Sequence, residues 1–191
     1  MSDTEETQGE VGLDELVAEL EGASRRRRQD AAHRIALVAK ADPEQVAPYV
    51  SELVDALERP EAQTRWEALG ALAELAPTHA DEVAAAFDGA EQALFDEGSA
   101  MVRLGAFVFL SRLAATSPER SDQVWPLLDE AVQCYHGDAE YRDMLAALLS
   151  MAKGSLSDAT RASLKARVSF DAERGSGYMK TYSSEIVQAL A

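Results

Sequence analysis

Apolar residues recur along the chain at the three- and four-residue spacing of amphipathic helices, and one such pattern returns four times. The segments RQDAAHRIALVA, RWEALGALAELA, RLGAFVFLSRLA and YRDMLAALLSMA begin at residues 28, 65, 103 and 141, at intervals of 37 or 38 residues. Their eighth position is always apolar and their twelfth is always alanine. Such a stripe predicts one buried helix face that is repeated along the chain.

A second apolar pattern precedes each of these segments. It runs through GEVGLDELVAEL, VAPYVSELVDAL, VAAAFDGAEQAL and VWPLLDEAVQCY, which begin at residues 9, 46, 83 and 124. Turn sequences such as ADPEQ and TSPERSD separate the two patterns, and no alternating apolar run bounded by Asn-Gly or Asp-Gly indicates a strand. We therefore expect an all-α protein, an α-solenoid built from antiparallel helix pairs.

The repeats divide the chain into three parts. We expect an acidic, flexible leader over residues 1–8 and four helical repeats over residues 9–153. Residues 154–191 carry a weaker pattern, which is interrupted by the segment ERGSG and predicts a degenerate capping repeat, since a last repeat has no neighbour beyond it. Whether the tail from residue 175 onward caps the solenoid or extends as a docking segment stays open.

An arginine opens three of the repeated segments, at Arg28, Arg65 and Arg103. A two-helix repeat of this length with an arginine at the start of its second helix resembles the HEAT-repeat family, including its PBS-lyase-like members, over residues 9–153. The resemblance implies a solenoid whose second helices line a concave face. Because most members of that family bind other macromolecules, it also implies a binding function without naming the partner.

Composition narrows the class of protein further. The chain has 34 acidic and 18 basic residues and a formal net charge of −16, which repels DNA, RNA and anionic lipid at long range. This acidic excess, with only four lysines, resembles the proteins of halophilic archaea. No apolar run is long enough to span a bilayer, and the N-terminus lacks a signal-peptide pattern. We expect a cytoplasmic protein with no membrane partner.

Four consecutive arginines interrupt this acidic composition. Arg28 holds the repeat position described above, which predicts a structural role in binding turn carbonyls or acidic side chains between repeats. Arg25, Arg26 and Arg27 fall in the first turn of a helix, where each cation is unfavourable by about a few tenths of a kcal/mol. Three interpretations stay open: an ion-pair network with the acidic residues of positions 1–23, a peripheral electrostatic site for an acidic partner or a phosphate, and a nucleic-acid contact.

The second helices are expected to carry the partner-binding surface. Positions three, seven and ten of each repeated segment fall on a face away from the apolar stripe. Phe109 is the largest side chain at these positions, and it fits either a binding anchor or a packing residue. With Trp66, which follows an opening arginine, the predicted partner-binding residues are Asp30, Arg34, Trp66, Glu67, Glu74, Phe109, Arg112 and Asp143.

Sequence patterns of catalysis and metal binding are missing. The three histidines, His33, His79 and His136, do not form an HExxH motif, and the single cysteine, Cys134, is expected to be a small buried side chain. We therefore expect no enzymatic activity, no cofactor and no metal, and interpret the protein as an adaptor that presents a concave groove to a partner protein.

Two alternatives follow from the family resemblance. One is a nucleic-acid-binding protein similar to the HEAT-like DNA glycosylases, which is not favoured because the predicted groove is acidic rather than basic. The other is a HEAT-like lyase, for which the sequence marks no chromophore pocket.

Overall fold

The computed structural model describes residues 12–191, a range in which every regular element is a helix. The leader predicted over residues 1–8 lies outside the described residues. The helices alternate along the chain between two layers, which we call first and second helices. They are α1 (Leu13–Glu21) and α2 (Arg25–Ala41), α3 (Val50–Asp55) and α4 (Ala62–Leu75), α5 (Ala80–Val83) with α6 (Phe87–Leu94) and then α7 (Ala100–Ala114), α8 (Pro118–Cys134) and α9 (Tyr141–Ala152), and α10 (Asp158–Arg174) and α11 (Gly177–Ala189).

The second helices stack side by side in chain order. Helix α2 packs on α4, α4 on α7, α7 on α9 and α9 on α11, while α10 packs on α8 in the layer of first helices. Each helix pair therefore contacts the pairs next to it in sequence, which is the construction of an α-solenoid. The fold class predicted from the repeat is confirmed.

The repeated apolar stripe forms the core. Its eighth position is occupied by Ile35, Leu72, Leu110 and Leu148, all fully buried, and Ile186 of the fifth pair is fully buried as well. Burial of one such side chain stabilises the folded state by about 1.5–3 kcal/mol relative to leaving it in water. Because every pair contributes to the same stripe, the core is continuous from the first pair to the fifth.

Serine residues define where several helices begin. The side chains of Ser24, Ser99, Ser117 and Ser157 each accept a hydrogen bond from the backbone N–H three residues later, at the N-termini of α2, α7, α8 and α10. An N-cap of this kind contributes about 1 kcal/mol to helix stability.

No helix in the described part of the chain is long and apolar enough to cross a membrane.

The C-terminal segment is a complete helix pair that packs on the fourth pair. Trp125 of α8 donates from Nε1 to Ser163 Oγ of α10 over 2.8 Å, and α11 packs on both α9 and α10. Helix α11 places Ser183 at a buried position and leaves Tyr178 and Tyr182 only partly buried. Because a polar residue and two partly exposed tyrosines stand where other second helices carry buried apolar residues, the apolar pattern of α11 is weak in the sequence.

Candidate protein-interaction surface

Arg28 joins the first helix pair to the second. Its Nη1 donates to the carbonyl of Gly22 over 2.7 Å, and its Nε and Nη2 donate to the carboxylate of Glu61 at the start of α4. The hydrogen bond from Arg28 holds the pKa of the Glu61 carboxyl below its ordinary value, although burial acts in the opposite direction. The structural role predicted for Arg28 is confirmed.

Arg103 makes the same contacts between the third and fourth pairs. Its Nη1 donates to the carbonyl of Asp96 over 2.9 Å, and its Nε donates to Glu140 Oε1 over 3.0 Å. The carboxylate of Asp96 in turn accepts a hydrogen bond from Arg65 Nη1 over 2.6 Å. Burial raises the pKa of Asp96, but the bonds from Arg65 and from nearby backbone N–H groups outweigh it and hold that pKa below its ordinary value. The arginines that open the repeats therefore have a structural role, since they hold neighbouring helix pairs together.

The second helices leave one face wholly or partly exposed, which we call the groove face. It is formed by positions three, six and ten of each repeat, together with a residue of the first turn in α7, because residues three and four apart share a helix face. The groove face comprises Asp30, His33 and Leu37 of α2, Glu67, Gly70 and Glu74 of α4, Met101, Gly105, Val108 and Arg112 of α7, and Asp143, Ala146 and Ser150 of α9.

Two side-chain contacts cross the groove face between neighbouring helices. His33 Nδ1 lies 2.9 Å from Glu67 Oε1, which links α2 to α4. Arg112 Nη1 lies 2.6 Å from Glu74 Oε2 and donates to the carbonyl of Ala73 over 3.0 Å, which links α7 to α4. Two of the predicted acidic binding residues thus already have partners inside the protein.

Other predicted binding residues are placed differently. Asp30 and Asp143 are exposed, and neither makes a side-chain hydrogen bond or ion pair with the residues that the structure describes. Trp66 is half-buried and packs against the core. Arg34 lines a surface cavity of about 500 Å³ beside α1, which Leu37 of the groove face also borders.

Phe109 is fully buried and cannot anchor a partner. Position seven is predicted to face the groove, but in α7 it turns toward the interior of the stack, as it does in α4, where Ala71 is also fully buried. The prediction of Phe109 as a partner-binding residue is therefore wrong. The exposed apolar side chain of α7 is instead Met101, which is 50% exposed.

Sequence reasoning missed Met101 and all of position six on the groove face, which is His33, Gly70, Val108 and Ala146. The signal that could have found Met101 and Val108 is the helical spacing of residues 101, 105, 108 and 112, which places all four on the face of Arg112. Gly70 has an unusual environment, since a Cβ atom added there would meet nothing within 4 Å. The centre of α4 therefore carries no side chain over a partly exposed stretch of backbone.

The arginine turn, defined as Arg25, Arg26 and Arg27, lies at the N-terminus of α2. All three side chains are exposed, and the first turn of α2 contains no acidic residue. Arg27 lies 4.0 Å from Glu19, with the two side chains 74% and 33% exposed. An ion-pair network is one of the interpretations of these arginines, and residues 12–191 provide this single long contact toward it.

The histidines and the cysteine are not gathered into a reactive site. Within residues 12–191, no group of three or more His, Cys, Asp or Glu side chains is arranged to hold a metal ion. Each histidine pairs with a carboxylate of a neighbouring repeat: His33 with Glu67, His79 with Glu44, and His136 with Asp171. Cys134 is exposed at the end of α8, so the expectation that it is buried is wrong.

Solved structures resemble this architecture over nearly the whole chain. A designed armadillo repeat protein in complex with the peptide (KR)4 superposes with a TM-score of 0.76 at 19% identity, covering 94% of this chain and 82% of that one. Computationally designed armadillo repeat proteins for modular peptide recognition give a TM-score of 0.71 at 18% identity, covering 93% and 81%. The fold is an α-solenoid.

No family model matches the chain, and no curated protein matches it. At identities below 20%, the likeness to solved structures shows the fold alone. The HEAT subclass and an origin in a halophilic archaeon stay predictions from the sequence.

Proposed function

We propose that this α-solenoid is a non-enzymatic scaffold that binds a partner protein along its groove face. The observation that carries the proposal is the position of its exposed apolar side chains. Three large apolar residues of the described chain are exposed, and two of them, Leu37 and Met101, lie on the groove face at 55% and 50% exposure. Apolar side chains surrounded by charged ones are typical of protein-binding surfaces.

Charge on the groove face supports a particular kind of partner segment. Asp30 and Asp143 offer carboxylates that the described residues leave without an ion-pair partner, one toward each end of the face. The designed armadillo protein of similar fold was solved with the basic peptide (KR)4. We infer that the partner segment carries lysine or arginine side chains for these carboxylates and an apolar side chain for Met101.

The far end of the groove face offers a recess for a partner side chain. A cavity of about 470 Å³ lies between the C-terminal ends of α4, α7 and α9, and it is lined by Pro77, Arg112, Ala115, Thr116 and Ser150. Its mixed lining suits a side chain with an apolar stem and a polar end. Arg112 is held there by Glu74, so its position is set before binding.

Rigidity of the stack supports binding by a preformed surface. The ion pairs of Arg28 with Glu61 and of Arg103 with Glu140 join neighbouring helix pairs at the ends of their second helices. The groove face therefore does not have to be assembled when a partner arrives. A preformed surface avoids the entropy cost of ordering side chains and loops on association.

Affinity capture with matched variants tests the proposal. The tagged protein, the double variant Leu37→Glu with Met101→Glu, and the control Phe170→Glu are incubated with nuclease-treated extract of the source organism. Phe170 is the third exposed large apolar residue. It is 73% exposed and lies on α10, in the layer of first helices. We expect a stoichiometric protein partner with the wild type and the control but not with the double variant. Equal capture by all three, or recovery of nucleic acid alone in untreated extract, would contradict the proposal.

A further inference from the structure

The arginine turn is a positive patch on an acidic protein. Arg25, Arg26 and Arg27 are consecutive and exposed, while the whole chain has a formal net charge of −16. A high net charge of one sign keeps a protein soluble and monomeric, so these three cations oppose the general trend of the surface. Their concentration in one helical turn needs a local explanation.

The contacts made within residues 12–191 supply little of that explanation. Cations at a helix N-terminus face the positive end of the helix dipole, and the first turn of α2 has no acidic residue to offset them. The contact between Arg27 and Glu19, at 4.0 Å and mostly exposed, is the one ion pair that the described residues give to the turn. Arg28 differs, since it joins two helix pairs. Within residues 12–191 the other compensation is weak, because Glu61, on which the charge of Arg25 acts, is already paired with Arg28, and Asp30 only lines the same cavity as Arg26 and Arg27. A local rule that is broken with little local compensation is typical of a functional site.

The arginine turn also borders a cavity with the right chemistry for carboxylates. This cavity of about 550 Å³ is bounded by α2 and by Gln63 in the first turn of α4, so it spans two repeats. Arg26 and Arg27 supply guanidinium groups, which match the two oxygens of a carboxylate in paired hydrogen bonds. The remaining lining residues are Ser24, Gln29 and Asp30, of which the first two add hydrogen-bond donors and the third is the one carboxylate of the lining.

We propose that the arginine turn docks an acidic segment of a partner protein, a stretch bearing several aspartate or glutamate side chains. Charge complementarity selects this occupant. Nucleic acid fits less well, because its affinity requires many phosphate contacts along a basic track, whereas Glu19 and Asp30 lie beside the single basic turn. The inference rests on the proposed scaffold function, to which it adds a second contact beside the groove face.

Peptide binding to the full chain tests this site. A fluorescently labelled peptide of eight glutamates is titrated with the wild type and with the triple variant R25Q, R26Q, R27Q, and its anisotropy is followed. The matched control R142Q, R174Q, K180Q also removes three exposed cations and leaves the same net charge. We expect the turn variant to bind about tenfold more weakly, which corresponds to the loss of several exposed charge-assisted contacts. The control should bind like the wild type, and added salt should weaken both.

Folding of the variants is not a confounding factor in this design. Replacing cations by glutamine at a helix N-terminus removes an unfavourable charge, so thermal unfolding of the turn variant should occur at or above the wild-type temperature. The groove variant with Leu37→Glu and Met101→Glu should still bind the glutamate peptide. The two proposals can therefore fail independently, because the arginine turn is tested by titration of the glutamate peptide and the groove face by capture of a partner protein.

Three results would overturn the proposal. The first is equal binding of the peptide by the wild type and the turn variant, and the second is tighter binding of a labelled single-stranded DNA than of the peptide through the same arginines. The third concerns the chain's own acidic positions Asp3, Glu5, Glu6 and Glu10. If the peptide binds only after these are changed to Asn or Gln in the full chain, the occupant is that segment and not a partner.

Discussion

Arg103 and Glu140 form an ion pair that joins the third and fourth helix pairs, with Arg103 Nε donating to Glu140 Oε1 over 3.0 Å. The two side chains are only 16% and 7% exposed. Above the guanidinium of Arg103 lies the ring of Tyr135, whose centroid is 4.9 Å from Cζ. Removal of one member of such a pair leaves the other charge desolvated without a partner, which costs more than the loss of a surface ion pair.

Glu140→Gln should therefore destabilise the protein strongly. We expect a loss of about 2–4 kcal/mol in the free energy of unfolding, because Arg103 keeps its charge in a largely buried site. Urea denaturation measures this free energy, and Glu130→Gln on the exposed surface of α8 serves as the control, with an expected change within about 0.5 kcal/mol. A loss no greater than that of the control would mean that this pair does not hold the repeats together.

Acid should destabilise the protein partly through Glu61. Its pKa in the folded protein is held below the ordinary 4.5 by Arg28, so the unfolded chain binds a proton at a pH where the folded chain does not. The resulting stability is complete above the unfolded pKa and is lost as the pH falls through the folded pKa. Urea denaturation from pH 7 to pH 3 should show a steeper decline below pH 4.5 for the wild type than for Glu61→Gln.

A nearby exposed glutamate gives the control for this pH dependence. Glu58→Gln removes a carboxyl from the same region of the chain without touching the contact between Arg28 and Glu61. Its stability should decline with acid as steeply as that of the wild type. A slope for Glu61→Gln that matches both would assign the acid sensitivity to other carboxylates.

The sequence was sufficient to predict the core and the structural role of the opening arginine, but not the partners of that arginine. Positions such as Ile35 and Leu110 repeat because every helix pair buries the same face. The glutamates that bind Arg28 and Arg103 lie 33 and 37 residues further along the chain, so they share no fixed spacing. Contacts made at variable loop positions depend on backbone geometry, which a repeat pattern does not encode.

The binding face was harder to predict than the core for a related reason. Adjacent positions on a helix differ by about 100° around its axis, so positions six and seven both lie outside the apolar stripe. Which of them the neighbouring helix covers depends on how the helix pairs stack. The structure fully buries position seven at Ala71 and leaves position six partly exposed at Gly70, which is why Phe109 is assigned to the wrong surface from the sequence.

Two glycines should respond in opposite directions to substitution by alanine. A Cβ atom at Gly70 meets nothing within 4 Å, so Gly70→Ala should stabilise α4 by up to about 1 kcal/mol through helix propensity alone. A Cβ atom at Gly154 would lie 2.5 Å from the carbonyl oxygen of Ala115, so Gly154→Ala should destabilise the protein by about 1–3 kcal/mol. Thermal unfolding of both variants measures the two shifts, and shifts of the same sign would contradict this packing.

Phe109 and Met101 lie on the same helix. Truncation of each in turn should distinguish a contribution to stability from a contribution to partner binding. Phe109→Ala removes a fully buried ring and should cost about 3–5 kcal/mol of unfolding free energy. Met101→Ala removes a side chain that is half in solvent, so the stability should change by less than about 0.5 kcal/mol while binding of a captured partner weakens. Urea denaturation and partner affinity are measured on both variants. Loss of partner affinity from Met101→Ala at unchanged stability would place the contact on α7, whereas unchanged affinity would remove Met101 from the binding surface.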